Sequence, residues 1–347
     1  MKIISKIKNL LKSKKDEISF LKNIPKINFT EILTNPKNIL VILSSNMMNF
    51  LNSLDALALL LHKHQNVTLL VHKKEHLFFL ERCLKNLKFD FYLFDEEELP
   101  EEILNNKFDT IIILSQKVDD NISRYLHKND LSVKAALDDF AQPELINYKT
   151  RTEKSQCLKE KYFSQICGIL GEDFDSKQFQ MDFNISDSKL KSSQKILNYL
   201  DVSKAGEWIF LDISTGLNST IFSDRQLAEI IRFVREKISG TLFLIDWNQE
   251  RYDKLKLKGV IPKPFFVSEQ DISLLTAHLA NAKILISPNT ELYHIAQLLK
   301  TRTAGALLPD EKKYFFESDK DLEFEVENFK SLQIDEFIEQ VTEFLKE

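Results

Sequence analysis

Near the C-terminal end, six consecutive residues, Asn289-Thr290-Glu291-Leu292-Tyr293-His294, carry an amide, a hydroxyl, a carboxylate, a phenol and an imidazole. They follow the apolar run from Ile284 to Ser287, so the pattern is a strand, a turn capped by Asn289 or Thr290, and a helix. Thr290 and His294 are four residues apart and share one helical face near its positive end. A hydroxyl, an imidazole and free backbone N–H groups at that place suit a diphosphate. Glu291 lies in the same first turn, where it favours the helix dipole and repels a phosphate. The competing reading is a capped helix with a packed histidine.

Two further groups sit at strand ends. The stretch Asp212-Ile-Ser-Thr-Gly-Leu-Asn-Ser-Thr follows an apolar run and offers Thr215, Gly216, Asn218 and Ser219. Its small hydroxyl residues and glycine let a ligand approach the backbone, but it carries no cation to neutralise a phosphate. The other is the turn Ser44-Ser45-Asn46-Met47-Met48-Asn49, with Ser53 and Asp55 beyond it. Asp55 is the one carboxylate at that helix start and the candidate general base; read structurally, it is an exposed helical aspartate. The turn has no glycine, and the first glycine of the chain is Gly168. Phosphate-binding loops need glycine for positive φ and close backbone approach. Neither a Walker loop nor a dinucleotide fingerprint exists in the N-terminal half.

The elements that must hold these groups alternate in type. Ile39–Leu43, Val67–Val71, Phe89–Phe94 and Thr110–Leu114 read as strands, with helical periodicity over Leu51–His64 and Leu77–Leu87. That order predicts a parallel, doubly wound sheet. A polar passage follows, with a helix near Lys154–Leu170 and weak order from Glu172 to Ser193. The alternation restarts with strands Trp208–Ile213, Thr241–Asp246, Phe265–Val267, Lys283–Ser287 and Thr303–Leu308. Helices Asp224–Lys237, Asp271–Ala280, Glu291–Lys300 and Ile334–Lys346 go with them, and the acidic stretch Asp319–Glu327 reads as a solvated connection. The expected division is a basic arm over 1–35, a Rossmann-like domain over 36–150, a linker over 151–193 and a second Rossmann-like domain over 194–347. Two such α/β domains face a cleft, where ligands gather at the carboxyl ends of strands.

Composition narrows the function classes. The net charge of −5 gives no electrostatic case for nucleic-acid binding. Cys83, Cys157 and Cys167 show neither metal-ligand spacing nor a disulfide framework, so a reducing cytoplasm is expected and no metal or cofactor. No apolar run approaches the ~18–20 residues of a membrane span. The N-terminus places Ile3, Ile7, Leu10 and Leu11 on one helical face, with Lys2, Lys6, Lys8, Lys12, Lys14 and Lys15 around the rest. Lysines interrupt what would be the apolar stretch of a signal peptide. The arm reads as an anchor to an anionic membrane surface, at the inner face of the membrane, or as a helix docked on the protein itself or a frayed tail.

The chain resembles the ADP-heptose:lipopolysaccharide heptosyltransferases, glycosyltransferase family 9, from about Asn38 to Leu308. Asn289-Thr290-Glu291-Leu292-Tyr293-His294 resembles that family's Asp-Ser/Thr-Gly-x-x-His element, keeping the threonine and histidine. The opening strand, turn and helix resemble Val-Ile-Arg-Leu-Ser-Ser-Ile-Gly-Asp, with Leu43 at the arginine position, Met48 at the glycine and Asn49 at the catalytic-base aspartate. The resemblance implies a GT-B fold, a nucleotide sugar such as ADP-heptose bound mainly by the C-terminal half, and a glycolipid acceptor against the N-terminal half. Asn49 carries no base. After Gly216, where the family has a donor-phosphate lysine, only Asn218, Ser219 and Thr220 stand. Two readings follow: a glycosyltransferase of envelope-polysaccharide assembly with an altered site and Asp55 as base, or a catalytically silent relative that binds or scaffolds.

Overall fold

The computed structural model describes residues 36–94, 98–129, 132–153, 156–179, 181, 183–201, 206–214, 222–246, 250–257, 266–267, 271–288, 290–308, 320–327 and 332–346. The basic arm lies outside these residues. Among the described residues no helix is long and apolar enough to cross a membrane.

Among the described residues two six-stranded sheets, both entirely parallel, carry the chain. The first contains β1 (Ile39–Leu43), β2 (Val67–Val71), β3 (Asp90–Leu93), β4 (Thr110–Leu114), β5 (Val133–Leu137) and β6 (Tyr148–Thr150), ordered β3-β2-β1-β4-β5-β6. The second contains β7 (Trp208–Asp212), β8 (Thr241–Ile245), β9 (Phe266–Val267), β10 (Ile284–Pro288), β11 (Thr303–Leu307) and β12 (Asp321–Glu325), ordered β12-β11-β10-β7-β8-β9. Counted from its own first strand, each sheet has the doubly wound 3-2-1-4-5-6 order. Its crevice therefore opens where the order reverses, between β1 and β4 and between β7 and β10.

The helices in chain order are α1 (Met47–Lys63), α2 (Lys74–Cys83), α3 (Glu101–Asn105), α4 (Asp120–Lys128), α5 (Leu158–Leu170), α6 (Asp187–Leu200), α7 (Asp224–Lys237), α8 (Glu250–Leu257), α9 (Ile272–Ala280), α10 (Glu291–Leu298) and α11 (Ile334–Phe344). β1 is buried along its whole length, as expected of a strand covered on both faces. Ile39, Val41 and Leu43 enter the core under α1 and α5, while Leu40 and Ile42 enter a second core with Ile103 of α3 and Ile122 of α4. α1 buries fifteen consecutive residues, Met47 to Leu61, because α5 and α10 pack on it besides its own sheet. Each fully buried leucine there contributes about 1.5–3 kcal/mol. The core under α1 runs without a break into the other half, through Leu292 and Ile295 of α10 and Leu275 and Leu279 of α9.

The structure departs from the sequence expectations at several elements. Asp321–Glu325 is not a solvated connection but the edge strand β12, in register with Thr303–Leu307. The weak order expected from Glu172 to Ser193 includes the start of α6, whose buried Ser193 and Leu197 pack toward α9. α1 begins four residues before the expected Leu51, because the Asn46 side chain accepts the Asn49 N–H at 3.0 Å and caps it. β5, β6, α3, α4 and α8 are additional to the elements expected from the sequence. On β11, Gly305 leaves room for the Tyr293 ring, which a Cβ would meet at 2.6 Å.

Candidate active site

At the β1/β4 crevice the side chains of Ser44, Asn46, Asn52 and Ser53 are already engaged. Ser44 Oγ accepts the Asn46 N–H at 3.2 Å, and Asn46 caps Asn49. Asn52 Nδ2 donates to the Met48 carbonyl at 2.8 Å, and Ser53 Oγ to the Phe50 carbonyl at 2.7 Å. Asn49 itself is buried, at the first turn. The cap satisfies N–H groups that would otherwise attract an anion.

Asp55 is not the exposed helical aspartate of one sequence reading: it is 4% exposed. Lys159 of α5 holds its Oδ2 at 2.7 Å, and the Met181 N–H donates to its Oδ1 at 3.1 Å. Its partners therefore lie 104 and 126 residues further along the chain, on α5 and on the segment that leads to α6. In this geometry Asp55 is the anionic half of a buried ion pair.

At the β7/β10 crevice the organising group is Asp212, at the end of β7 and fully buried. Its Oδ1 accepts the Ser214 N–H at 2.8 Å, and its Oδ2 accepts Ser287 Oγ at 2.8 Å and Thr290 Oγ1. Burial pushes the Asp212 pKa up, against these hydrogen bonds, which pull it down. Thr290 is the N-cap of α10 and accepts the Tyr293 N–H at 3.4 Å. A threonine has one hydroxyl proton. With that proton given to Asp212, Thr290 caps the helix end.

Glu291 stands in front of the same helix end and is half-buried. Burial raises its pKa, the charge of Lys73 lowers it, and Asp212 and Glu75 raise it further. Lys73 and Glu75 lie between β2 and the first turn of α2, so charges that follow a strand of the first sheet act on Glu291. His294 is buried, and burial pulls its pKa down to about 4. The imidazole is neutral at pH 7 and brings no positive charge to a diphosphate. Thus Thr290, Glu291 and His294 converge on one helix end, while Asn49 and Asp55 lie on α1. Thr215, Gly216, Asn218, Ser219 and Asn289 lie outside the described residues.

Three further groups bear on the site: Asp212, Lys73 and Arg251. Asp212 carried a usable signal, a carboxylate closing an apolar strand run. The other two become visible only from tertiary contacts.

No protein-family model matches the chain, and no curated protein sequence matches it. Solved structures do. The crystal structure of a glycosyl transferase family 9 protein from Veillonella parvula DSM 2008 aligns with a TM-score of 0.67 at 11% identity, over 89% of this chain and 97% of that one. The fold is GT-B. E. coli heptosyltransferase WaaC with ADP shares this GT-B architecture at a TM-score of 0.61 and 14% identity, over 88% of this chain and 99% of that one. E. coli ADP-heptose lps heptosyltransferase II does so at 0.63 and 11%, over 89% and 98%. At such identities the likeness is one of fold.

The buried imidazoles of this GT-B chain set an acid limit. Burial pulls His76 to about 3, with Lys73 and His72 adding to the shift, and pulls His278 and His294 to about 4. Unfolded, the three take up protons near pH 6.5. The unfolded chain then binds more protons between about pH 6.5 and pH 4, so these groups cost stability as pH falls through that window. The raised pKa of Asp212 and of Glu291 acts with the opposite sign. His76 stacks on Phe50 at 4.2 Å, and neither ring nitrogen has a hydrogen-bond partner among the described residues. His76→Phe keeps the stack and cannot be protonated. Its urea midpoint is expected to fall less between pH 7 and pH 5 than that of the parent; an equal fall refutes the assignment.

Proposed function

We propose that this chain is a glycosyltransferase of the heptosyltransferase type, taking a nucleotide sugar against α10 and an envelope glycolipid acceptor against the α1 side. The observation that carries the reading is the packing of α1 of the first 3-2-1-4-5-6 unit against α10 of the second, in a fold shared with heptosyltransferases over nearly the whole chain. The domain division at 36–150, 151–193 and 194–347 belongs to the same reading. Two domains of that kind divide donor and acceptor between them. Thermal denaturation with ADP and with ADP-heptose tests it, because a ligand at 100 times its Kd stabilises by about 2.7 kcal/mol. No shift with either nucleotide removes the reading.

A second reading, a non-catalytic relative that binds or scaffolds, is favoured by the state of the site. Asn49 has no titratable group at the base position. Asp55 is held by Lys159 and the Met181 N–H. Asp212 and Glu291 place two carboxylates at the helix end where a diphosphate would lie, and the like charges oppose it. Under either reading the basic arm is proposed to attach the protein to anionic membranes, on the strength of its six lysines around an apolar stripe. Deleting residues 1–15 should reduce flotation with anionic liposomes in a salt-dependent way; unchanged flotation counts against it.

A further inference from the structure

The carboxyl edge of the second sheet holds a buried cation. Arg251, in the first turn of α8, has a side chain only 7% exposed. Its Nη1 donates to the Ile213 carbonyl at 3.2 Å, and its Nη2 donates to the Phe222 carbonyl. Those two carbonyls bracket the connection from β7 to α7. The start of that connection is tied twice more, since the Ile213 N–H donates to the Ile245 carbonyl at 2.9 Å and the Ser214 N–H to Asp212. α8 is itself pinned to the end of β8, where the Arg251 and Tyr252 N–H groups donate to Asp246 Oδ2 at 3.0 and 2.9 Å.

Electrostatics agrees with the hydrogen bonds. Burial works against the guanidinium charge and lowers its pKa, and the carboxylates of Asp224, Asp212 and Asp246 oppose that shift, the first at 3.9 Å. Desolvating a guanidinium is costly. One that is kept buried at a strand edge, with its planar fork spread over two backbone carbonyls, does a job that lysine's single ammonium cannot do. The Arg251 side chain thus ties the end of β7 to the start of α7, while the backbone N–H groups of Arg251 and Tyr252 hold α8 to the end of β8.

We propose that Arg251 is the positioning residue of the C-terminal half. It joins the two ends of the β7–α7 connection and so fixes the carboxyl edge of β7 for the diphosphate of a nucleotide sugar. The ligand part rests on the function proposed above; the clamp does not. Arg251 acts through Ile213, Ser214 and Phe222 and touches no ligand itself.

The test uses the full-length protein, Arg251→Lys and Arg251→Gln, with two readouts. The first is hydrogen exchange of peptides covering 211–223, and the second is calorimetry with ADP. Arg251→Gln should speed exchange in those peptides at least tenfold and weaken ADP binding at least tenfold. Arg251→Lys restores the charge and recovers the parent Tm, but not the slow exchange or the ADP affinity, because one ammonium does not span both carbonyls. A purely structural role would recover all three together. Should Arg251→Gln not fold, the lysine variant carries both measurements. Parental exchange in both variants, or parental ADP affinity in both, overturns the proposal. If the parent binds no ADP while Arg251→Gln exchanges faster, the clamp stands and the nucleotide reading alone falls.

Discussion

Glu291→Gly should tighten ADP binding by roughly tenfold, equivalent to about 1.4 kcal/mol. The carboxylate stands at the first turn of α10, half-buried, with the charge of Lys73 across the crevice. Removing it takes away a repulsion of the size that charges at a partly buried helix end show, up to ~2 kcal/mol. It also opens the backbone N–H groups to close approach. The helix itself loses up to about 1 kcal/mol, because glycine is a poor helix former. Transfer of heptose should stay negligible in this variant, since Asn49 provides no base. Asn49→Asp restores a carboxylate at the first turn of α1, so any recovered transfer should need both substitutions. Calorimetry with ADP reads the first effect, and a product assay with ADP-heptose reads the second. An unchanged Kd would show that the charge of Glu291 is not the barrier. Tight ADP binding by the unmodified protein would show an intact site and take away the main support of the non-catalytic reading.

Asp55→Ala is expected to destabilise the protein by about 3 kcal/mol and leave ADP affinity unchanged. Breaking a buried ion pair by removing one partner costs roughly 3–5 kcal/mol. The Lys159 side chain is 25% exposed and regains some hydration, which keeps the effect at the lower end. The Met181 N–H loses its acceptor as well. At about 2–4 °C per kcal/mol for a large chain, Tm should fall by roughly 6–12 °C. Asp55→Leu combined with Lys159→Leu should be less damaging than Asp55→Leu alone, because no charge is left uncompensated. Loss of transferase activity at an unchanged Tm would restore Asp55 to the role of base.

The sequence announces those parts of the fold whose signal is local. Continuous apolar runs such as Ile39–Leu43 and Thr241–Ile245 are strands buried on both faces, and they were legible as such. β12 was not, because its sequence Asp-Leu-Glu-Phe-Glu has the charge of a loop and becomes a strand only through pairing with β11. β5 was obscured by Lys134, whose ammonium reaches the Leu126 carbonyl at 2.9 Å and so tolerates burial. The same limit governs the site. Thr290, Glu291 and His294 are neighbours in sequence and were found together. Asp55 was legible as a carboxylate but not as an anchor, since both partners come from far along the chain. Arg251 has no neighbouring pattern to mark it. What distinguishes it is its pair of carbonyl partners, 38 and 29 residues away.

The apolar core that passes from α1 into α9 and α10 bears on how the molecule is made and dissected. Leu292 and Ile295 are fully buried in the same cluster as Phe50 and Leu54. A fragment ending between the sheets would present such a surface to water, and apolar patches of that kind drive association. The halves are therefore poor candidates for separate expression, although each has a complete sheet. Intact, the chain should melt in a single calorimetric transition, each half acting as the template on which the other finishes folding.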